Sequence, residues 1–258
     1  MDGQRGMLAE KDIPVKKIAG TKYARLLTYP RMNEPDVKER IDELLSIGVT
    51  SLHFEGGSFI DGIPILGKGC VGIVTEAVLN DTRIALKIRR ADADRPTMKN
   101  EARMLRVANS VGVGPRLIAG TRNLLAIELF EGVPLFKWAD GIKDRKRVKP
   151  LLRDLLESCF KLDSVGLDHG ELSHAPKNVL VNRRGRGCIV DFETASTVRR
   201  PANVTSLIQY FLFGRVSKEI HASRLFPQKR MILRMLSAYK QDQSLSNFQN
   251  ILTALDVA

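Results

Sequence analysis

The sequence predicts an α+β fold in which an antiparallel sheet is followed by a mostly helical region. Three apolar, β-prone runs, over residues 63–66, 72–78 and 82–88, are separated by Gly or Asn-Asp turns, which is typical of consecutive antiparallel strands. Later in the chain, apolar residues between Leu151 and Phe160 recur at helical spacing over a wide face, which predicts a buried helix. At 258 residues with 43% hydrophobic residues, the chain is long enough and apolar enough for a real core.

Residues 1–56 precede these runs and are predicted as an accessory segment of strand–helix–strand order. Residues 23–29 are predicted as a strand that Pro30 ends, and residues 49–54 as a second short strand. Between them, helical spacing of apolar residues predicts an amphipathic helix over residues 34–47. The segment is too short for a core of its own, so we expect it to pack on the rest of the chain.

The remainder of the chain divides at about residue 130. We expect a sheet-rich domain at residues 57–130 and a reduced, mostly helical domain at residues 131–258. The further predicted elements of the first domain are a helix over residues 98–110 and strands over residues 116–119 and 124–129. Those of the second, besides the buried helix, are strands over residues 179–182 and 188–191 and helices over residues 204–213 and 228–239.

The charge balance restricts the class of partner. The formal net charge of +12 favours acidic partners, such as RNA, the ribosome, an acidic protein or ATP itself. A solvated basic surface explains the same clusters of Lys and Arg equally well. Aromatic residues make up only 6% of the chain and do not interleave with these clusters, so a base-stacking platform is not indicated.

Targeting features favour a cytoplasmic protein without a membrane segment. No apolar run is long enough to span a bilayer, and residues 1–5 lack the basic-then-apolar pattern of a secretory signal. Cys70, Cys159 and Cys188 are odd in number and widely spaced. They suit a reducing compartment and lack the spacing of zinc ligands.

A glycine-rich segment stands between two of the predicted strands. Gly67, Gly69 and Gly72 would let the backbone bend tightly and let amide groups approach phosphate oxygens with no Cβ in the way. Lys68 and Val74 belong to the same segment and are included as nucleotide contacts. The alternative is a hairpin with glycine turns and no ligand. A dinucleotide-binding loop is disfavoured, because that motif leads from a strand into a helix, whereas a strand continues here.

A lysine ends the strand run that follows. Two residues after Ala85, the ammonium of Lys87 could reach the α- and β-phosphates of a nucleotide if a carboxylate held it in place. Glu101 is the predicted partner, since it lies on the apolar face of the next helix. Asp92 and Asp94 are closer in sequence but lie in the connecting loop. The alternatives are a solvated edge lysine and an ordinary surface glutamate.

The predicted strand over residues 124–129 leads into the second domain. If the two domains meet there, backbone groups near Glu128 and Phe130 would face an adenine base. Apolar strand residues, Ala85 and Val74 among them, would form the walls around that base.

Carboxylate and amide side chains follow the buried helix in a regular order. Glu171 could orient or deprotonate an attacking hydroxyl, with His169 bracing the same loop by hydrogen bonding. Asn178 and Asp191 each adjoin a short apolar strand and offer oxygen ligands to Mg²⁺, with Asp191 as the main ligand. Lys177 is placed to reach a γ-phosphate, or is a solvated lysine. The alternative for each of these residues is an ordinary turn position.

With these motifs in order, the chain resembles the protein-kinase-like superfamily. Within it, the chain is similar to the atypical RIO-type kinases, to the small archaeal kinases of the KEOPS complex and to archaeal predicted serine/threonine protein kinases. The resemblance covers about residues 63–213. It rests on the glycine-rich loop, the strand lysine Lys87, the helix glutamate Glu101, the catalytic-loop segment His169-Gly170-Glu171-Leu172 and the metal-binding pair Asp191-Phe192.

The resemblance implies a two-lobed protein-kinase-like fold, with an antiparallel-sheet N-lobe and a small, mostly helical C-lobe. It implies ATP and Mg²⁺ as cofactors, with Mn²⁺ as an alternative metal. It also implies transfer of phosphate to Ser or Thr of a protein substrate, of the chain itself or of a large assembly.

The chain departs from the family pattern at several positions. Glu171 stands where the family usually has Asp, and six residues rather than four separate it from Asn178. Glu193 replaces the usual Gly of the metal-binding triplet, no Ala-Pro-Glu follows, and the tail of 65 residues after Glu193 is too short for a full peptide-substrate lobe. The short tail resembles that of the minimal kinases, whereas Glu171 and the lengthened loop favour a binding module on the same fold. Residue His174 of that loop has no predicted role.

Three functions remain open at this stage. The first is an active serine/threonine protein kinase, or an ATPase switch built on the same residues. The second is a small-molecule kinase, which usually carries an acceptor-binding insertion that is not found in this sequence. The third is a kinase-fold binding module, a pseudokinase that associates with RNA or the ribosome through its basic surface.

Overall fold

The computed structural model describes residues 12–142, 144–173, 177–214, 216–220, 222–226 and 228–257. It contains both helices and strands, with an antiparallel sheet, as the sequence predicts. The chain forms two compact units. The first comprises the described residues up to Arg103 together with Arg116–Leu129, and the second comprises Met104–Pro115 and the described residues from Phe130 onwards.

The first unit holds all the strands before residue 130. Its elements are β1 (Asp12–Pro14), a 3₁₀ helix (Val15–Gly20), α1 (Ala24–Leu27), α2 (Glu34–Ser46), β2 (Val49–His53), β3 (Ser58–Ile60), β4 (Ile63–Ile65), β5 (Gly67–Lys68), β6 (Gly72–Leu79), β7 (Thr82–Arg89), the start of α3 (Lys99–Ser110), β8 (Leu117–Gly120) and β9 (Leu124–Glu128). The main sheet has the order β1-β2-β6-β7-β9-β8, with β5 paired to β6, and every pair is antiparallel. Strand β7, which carries Lys87, is therefore paired on both sides.

The accessory segment covers one face of this sheet. Ile73 of β6 and Leu86 of β7 lie in one apolar cluster with Leu27 of α1 and Leu44 of α2, and none of the four is more than 1% exposed. Burying each such side chain stabilises the fold by about 1.5–3 kcal/mol. Because side chains alternate along a strand, the neighbouring residues of β6 and β7, Lys87 included, face the opposite side of the sheet.

Two polar side chains, the buried Arg40 and the partly buried Glu43, fasten α2 to the sheet. The guanidinium of Arg40 donates to the carbonyl oxygens of Leu27 and Arg89, the latter at 2.6 Å. Burial, together with the nearby Arg89, lowers the pKa of Arg40 to about 10, so it remains charged at neutral pH. The carboxylate of Glu43 accepts from the backbone N–H of Asn123 at 3.0 Å and from its side-chain amide at 2.6 Å. These contacts hold the end of β7 and the turn before β9.

Two sequence predictions in the first unit are wrong. Residues 23–29 were predicted as a strand, but they contain the helix α1, because Ala24, Arg25 and Leu26 are strong helix formers and outweigh the aromatic residues at the two ends. The run over residues 63–66 was predicted as the first of three consecutive antiparallel strands, but β4 pairs with β3 in a separate two-stranded sheet. Asp61-Gly62, both with positive φ, form the tight hairpin turn between β3 and β4.

The second unit is mostly helical. Besides the end of α3, its elements are β10 (Val133–Pro134), α4 (Leu135–Asp140), a 3₁₀ helix (Arg145–Arg147), α5 (Val148–Ser164), β11 (Val179–Val181), β12 (Gly187–Ile189), α6 (Asn203–Phe213), α7 (Val216–Glu219), α8 (Ala222–Leu225), α9 (Lys229–Gln241) and α10 (Leu245–Ala254). The strands form one antiparallel sheet, β10-β11-β12. None of the helices in the described part of the chain combines the length and apolarity that a bilayer crossing requires.

A buried carboxylate joins three helices of the second unit. Asp163 of α5 accepts from the backbone N–H and the side-chain amide of Asn203 in α6, at 3.0 and 2.7 Å, and from the hydroxyl of Tyr239 in α9 at 2.9 Å. Burial raises the pKa of Asp163, and these donors oppose that rise. Asn203 is thereby fixed in place, and its own side-chain oxygen accepts from the backbone N–H of His169 at 2.9 Å.

We predict that Gly114→Ala destabilises the protein more than Gly112→Ala. Both glycines have a left-handed backbone, with φ of +77° and +70°, so either alanine costs about 1–2 kcal/mol in strain. A Cβ at residue 114 would also lie 2.8 Å from a ring carbon of Phe192, whereas one at residue 112 meets nothing within 4 Å. The overpacking adds about 1–3 kcal/mol to the loss for Gly114→Ala. Urea unfolding of both variants measures the difference, and equal losses would contradict this account.

Candidate functional site

The glycine-rich segment forms a hairpin between two strands. Gly67 pairs with Val74 in the register of β5 and β6, and the N–H of Gly69 donates to the carbonyl of Gly72 at 2.8 Å. A Cβ at Gly72 would lie 3.0 Å from the carbonyl of Ile88, so this glycine permits close packing against β7. A Cβ at Gly67 meets no atom within 4 Å, so its surroundings are open. The strand–turn–strand geometry is not that of a dinucleotide-binding loop, which leads into a helix.

An aromatic residue of the accessory segment holds this hairpin. The ammonium of Lys68 donates to the hydroxyl of Tyr29 at 2.5 Å and lies 4.6 Å from the centre of its ring. Arg90 lies over the same ring at 5.3 Å and donates to the carbonyl of Gly69 at 3.0 Å. Sequence reasoning missed Tyr29 and Arg90, because no spacing rule connects residue 29 with a hairpin about forty residues later.

Lys87 and Glu101 form a buried ion pair inside the first unit. Their Nζ and Oε1 atoms are 2.8 Å apart, and the two residues are only 6% and 7% exposed. The alternative partner, Asp92, instead accepts a bidentate pair of hydrogen bonds from Arg90, at 2.7 and 2.8 Å. These bonds lower the pKa of Asp92. The partner predicted from the helix face is therefore the one that the structure places on Lys87.

The predicted base-contacting residues of the first unit are only partly brought together. Val74 lies opposite Lys87 in the register, and Ala85 is two residues from Lys87 on β7, so the three share a sheet face. Glu128 is exposed, and its backbone N–H donates to the carbonyl of Arg116 at 2.9 Å. That N–H is thus used within the sheet. Phe130, which was predicted with Glu128, belongs to the second unit and is partly buried.

His169 braces the loop that carries Glu171. Its Nε2 donates to the carbonyl of Val190 at 3.0 Å, its ring lies 5.0 Å from that of Phe192, and its own carbonyl accepts from the hydroxyl of Thr194 at 3.0 Å. The residue is fully buried. These contacts connect the loop to the segment that follows β12, in the bracing role predicted for His169.

Glu171 and Asn178 are in direct contact. The side-chain amide N of Asn178 donates to Oε2 of Glu171 at 3.0 Å, which orients the amide and leaves its oxygen as the side-chain atom suited to a cation. The carbonyl of Asn178 also accepts from the N–H of Val190 at 2.9 Å, directly before Asp191. Lys177 is exposed. Residues 174–176, which include His174 and half of the lengthened loop, lie outside the described residues.

Asp191 has a left-handed backbone, with φ of 68°. Such a conformation is uncommon for a residue with a side chain, costs of order 1–3 kcal/mol, and clusters at functional sites. The hydrogen bonds of Val190 place Asp191 next to the loop residues His169 and Asn178. Glu171 and Asn178 are thus in contact, and Asp191 follows a residue that is bonded to Asn178. Their carboxylate and amide oxygens are ligand types that suit Mg²⁺.

An ion pair missed by sequence reasoning supports the same loop. Asp168 exchanges both backbone hydrogen bonds with Ser196, at 2.8 and 2.9 Å, and its carboxylate accepts from Nε of Arg199 at 2.8 Å. Asn203 of α6 supports the loop by accepting a hydrogen bond from the N–H of His169, and Asp163 of α5 fixes Asn203 in place. Asp168 was discoverable in principle, since it adjoins the His169-Gly170-Glu171 segment, but nothing in the sequence connects it with Arg199.

We predict that His169 makes stability fall in acid. Burial lowers the pKa of His169, because protonating Nδ1 would place a donor where the described residues offer it no acceptor. The unfolded chain, with a histidine pKa near 6.5, therefore takes up a proton that the folded chain resists. The free energy of unfolding should fall as the pH drops below about 6.5, by up to about 1.4 kcal/mol per pH unit. Urea unfolding between pH 7.5 and 5.5 should show a weaker dependence in His169→Gln, and an unchanged one would refute the assignment.

No protein-family model matches the chain, and no curated protein matches it.

Proposed function

We propose that the chain is an ATP-dependent phosphotransferase, a minimal atypical serine/threonine protein kinase or an ATPase switch of the same design. The observation that supports this most is the buried pair of Lys87 and Glu101. Removing two charges from water costs several kcal/mol per ion, and a buried pair often adds nothing to stability compared with apolar residues. A role in binding anionic phosphates gives a reason for an ion pair at this place.

The second unit supports the proposal with a separate set of groups. Glu171, Asn178 and Asp191 lie along one network of hydrogen bonds, and Asp191 has the uncommon backbone that functional sites favour. We infer that the two compact units correspond to the two lobes of a protein-kinase-like fold. The proposal requires both sets of residues to act on the same nucleotide.

The chemistry assigned to each residue follows from its functional group. Lys87 binds phosphate oxygens, and Glu101 fixes the position of its ammonium. Asn178 and Asp191 would hold Mg²⁺, and a bound ion would supply positive charge to offset that of the phosphates. Glu171 accepts the proton of the attacking hydroxyl while the hydroxyl oxygen forms a bond to the γ-phosphorus. The bond from that phosphorus to the β–γ bridging oxygen breaks, and ADP leaves.

The proposal is tested with labelled ATP and Mg²⁺ on the full chain. Wild type should transfer label to itself, to an added protein or to water, and Asp191→Asn should lose at least about 10²-fold in rate. Asn suits this test because it has nearly the same shape as Asp and tolerates a left-handed backbone.

Three outcomes bear on the proposal differently. Equal turnover by wild type and Asp191→Asn would overturn it. Turnover with one small metabolite alone would keep phosphoryl transfer and change the acceptor class. No turnover, combined with salt-dependent RNA binding that persists in Lys87→Ala, would replace it with a binding module.

A further inference from the structure

A second cluster of chemically active side chains lies in the first unit, apart from the Lys87–Glu101 pair. In the sheet register Asp12 of β1 pairs with His53 of β2, and His53 pairs with Glu76 of β6. Residues directly opposite each other on neighbouring strands share a face of the sheet. Glu55 follows His53 by two residues, and its Oε2 lies 3.1 Å from the imidazole. Three side chains from three strands and that of Glu55, just after β2, thus converge on one place.

The imidazole of His53 is buried and oriented. The residue is 5% exposed, and its Nδ1 lies 2.7 Å from Oδ1 of Asp12. A carboxylate only accepts hydrogen bonds, so Nδ1 carries the proton in this contact. The other ring nitrogen, Nε2, is buried and makes no hydrogen bond among the described residues, since its approach to Glu55 lacks hydrogen-bond geometry. Nε2 therefore faces carboxylate oxygens.

The cluster has more negative than positive charge. Asp12, Glu55 and Glu76 contribute three carboxylates, and Arg83 offsets one of them through a contact of 2.8 Å with Glu76. Nε2 of His53 and one carboxylate oxygen each of Glu55 and Glu76 lie within 4.8 Å of one another. Such an arrangement is stabilised by a cation among these atoms.

We propose that His53, Glu55 and Glu76 bind a divalent transition-metal ion such as Zn²⁺ or Mn²⁺. An imidazole ligand favours these ions over Mg²⁺ and Ca²⁺, which prefer oxygen alone. Asp12 has the position of the outer carboxylate that orients a metal-binding histidine. In zinc sites with three protein ligands, the nitrogen and oxygen ligand atoms lie about 2.0–2.2 Å from the ion. Small movements of the three side chains would bring their ligand atoms to such distances.

The site is accessible and would have a structural consequence. The side chains of Asp12 and Glu55 are 45% and 44% exposed, which opens the cluster to solvent on that side. A bound ion would connect the accessory strands β1 and β2 to β6 and so stabilise the first unit. This role does not depend on the proposed phosphoryl transfer.

The test is metal binding by the tag-free full chain, stripped with a chelator and free of nucleotide. Equilibrium dialysis against Zn²⁺ and against Mn²⁺, with elemental analysis, should give one ion per chain for wild type. His53→Gln and Glu55→Gln should weaken binding by at least about 10-fold, and Asp12→Asn by about 10–100-fold. Glu39→Gln, a change of the same kind at an exposed carboxylate of α2, should bind like wild type.

The same experiment separates this site from the proposed Mg²⁺ site. Asp191→Asn should keep the ion, and the metal should raise the melting temperature of wild type but not of His53→Gln. Because Asp12 is at the exposed rim, Asp12→Asn keeps the test decisive if His53→Gln fails to fold. Loss of the ion in Asp191→Asn alone, or equal binding by His53→Gln, would overturn the proposal. So would no binding at micromolar metal, which would identify the cluster as a network of polar contacts without an ion.

Discussion

Lys87→Met will lower the rate of phosphoryl transfer by about 10²-fold or more and will also destabilise the fold. The rate falls because the substituted side chain has no charge for phosphate oxygens. Stability falls by about 3–5 kcal/mol because the Glu101 carboxylate, 2.8 Å from the lost ammonium and 7% exposed, remains buried without its cation. Turnover of labelled ATP and urea unfolding measure the two effects separately.

A double variant distinguishes the two roles of this pair. Lys87→Met with Glu101→Leu removes both charges and fills the space with apolar groups, which is often neutral or stabilising for a buried pair. Its stability should return to near the wild-type value while its activity stays low. If activity also returned, the ion pair would be a packing feature without a part in nucleotide binding.

Glu171→Gln will lower the turnover rate by about 10²–10⁴-fold while the fold is kept. A glutamine at this position can still accept the hydrogen bond of 3.0 Å from the Asn178 side chain, so the local geometry survives. It cannot take a proton from the attacking hydroxyl, and general-base catalysis contributes an effect of this size. Steady-state turnover at saturating ATP, with a melting curve for each protein, gives the result.

Glu171→Asp is the matched control, since it restores the residue that is usual in the resembling family. It keeps the carboxylate and shortens the side chain, so its loss should be smaller than that of Glu171→Gln. Wild-type turnover by Glu171→Gln would show that the carboxylate is not the base.

The parts of the structure that sequence reasoning predicts well depend on local patterns. Strands β6 and β7 are long, apolar and separated by an Asn-Asp turn, so both their existence and their antiparallel pairing follow from neighbouring residues. The contact of Lys87 with Glu101 follows from a strand position and a helix face. The extent of α2 and α6 follows from helical spacing.

The parts that it misses depend on pairing between distant segments. Asp12 contacts His53, and His53 lies opposite Glu76, only because β1 and β2 join the sheet in one particular register. Tyr29 reaches Lys68 from the connection between α1 and α2. Register is set by the packing of whole faces, and a slip of one residue would move every side chain to the other side. The short helix α1 was missed because four residues are too few for periodicity to distinguish helix from strand.

The position of β2 between β1 and β6 limits how the chain can be shortened. A fragment that began at residue 57, just before the kinase-like motifs, would lose the partner of β6 over residues 76–79. It would also uncover the apolar side of the sheet that α1 and α2 bury. An open row of backbone donors and acceptors beside bare hydrophobic surface is a template for aggregation. A fragment that carries the glycine-rich segment and Lys87 therefore has to include the strands that precede it, because the accessory segment completes the sheet and covers its apolar face.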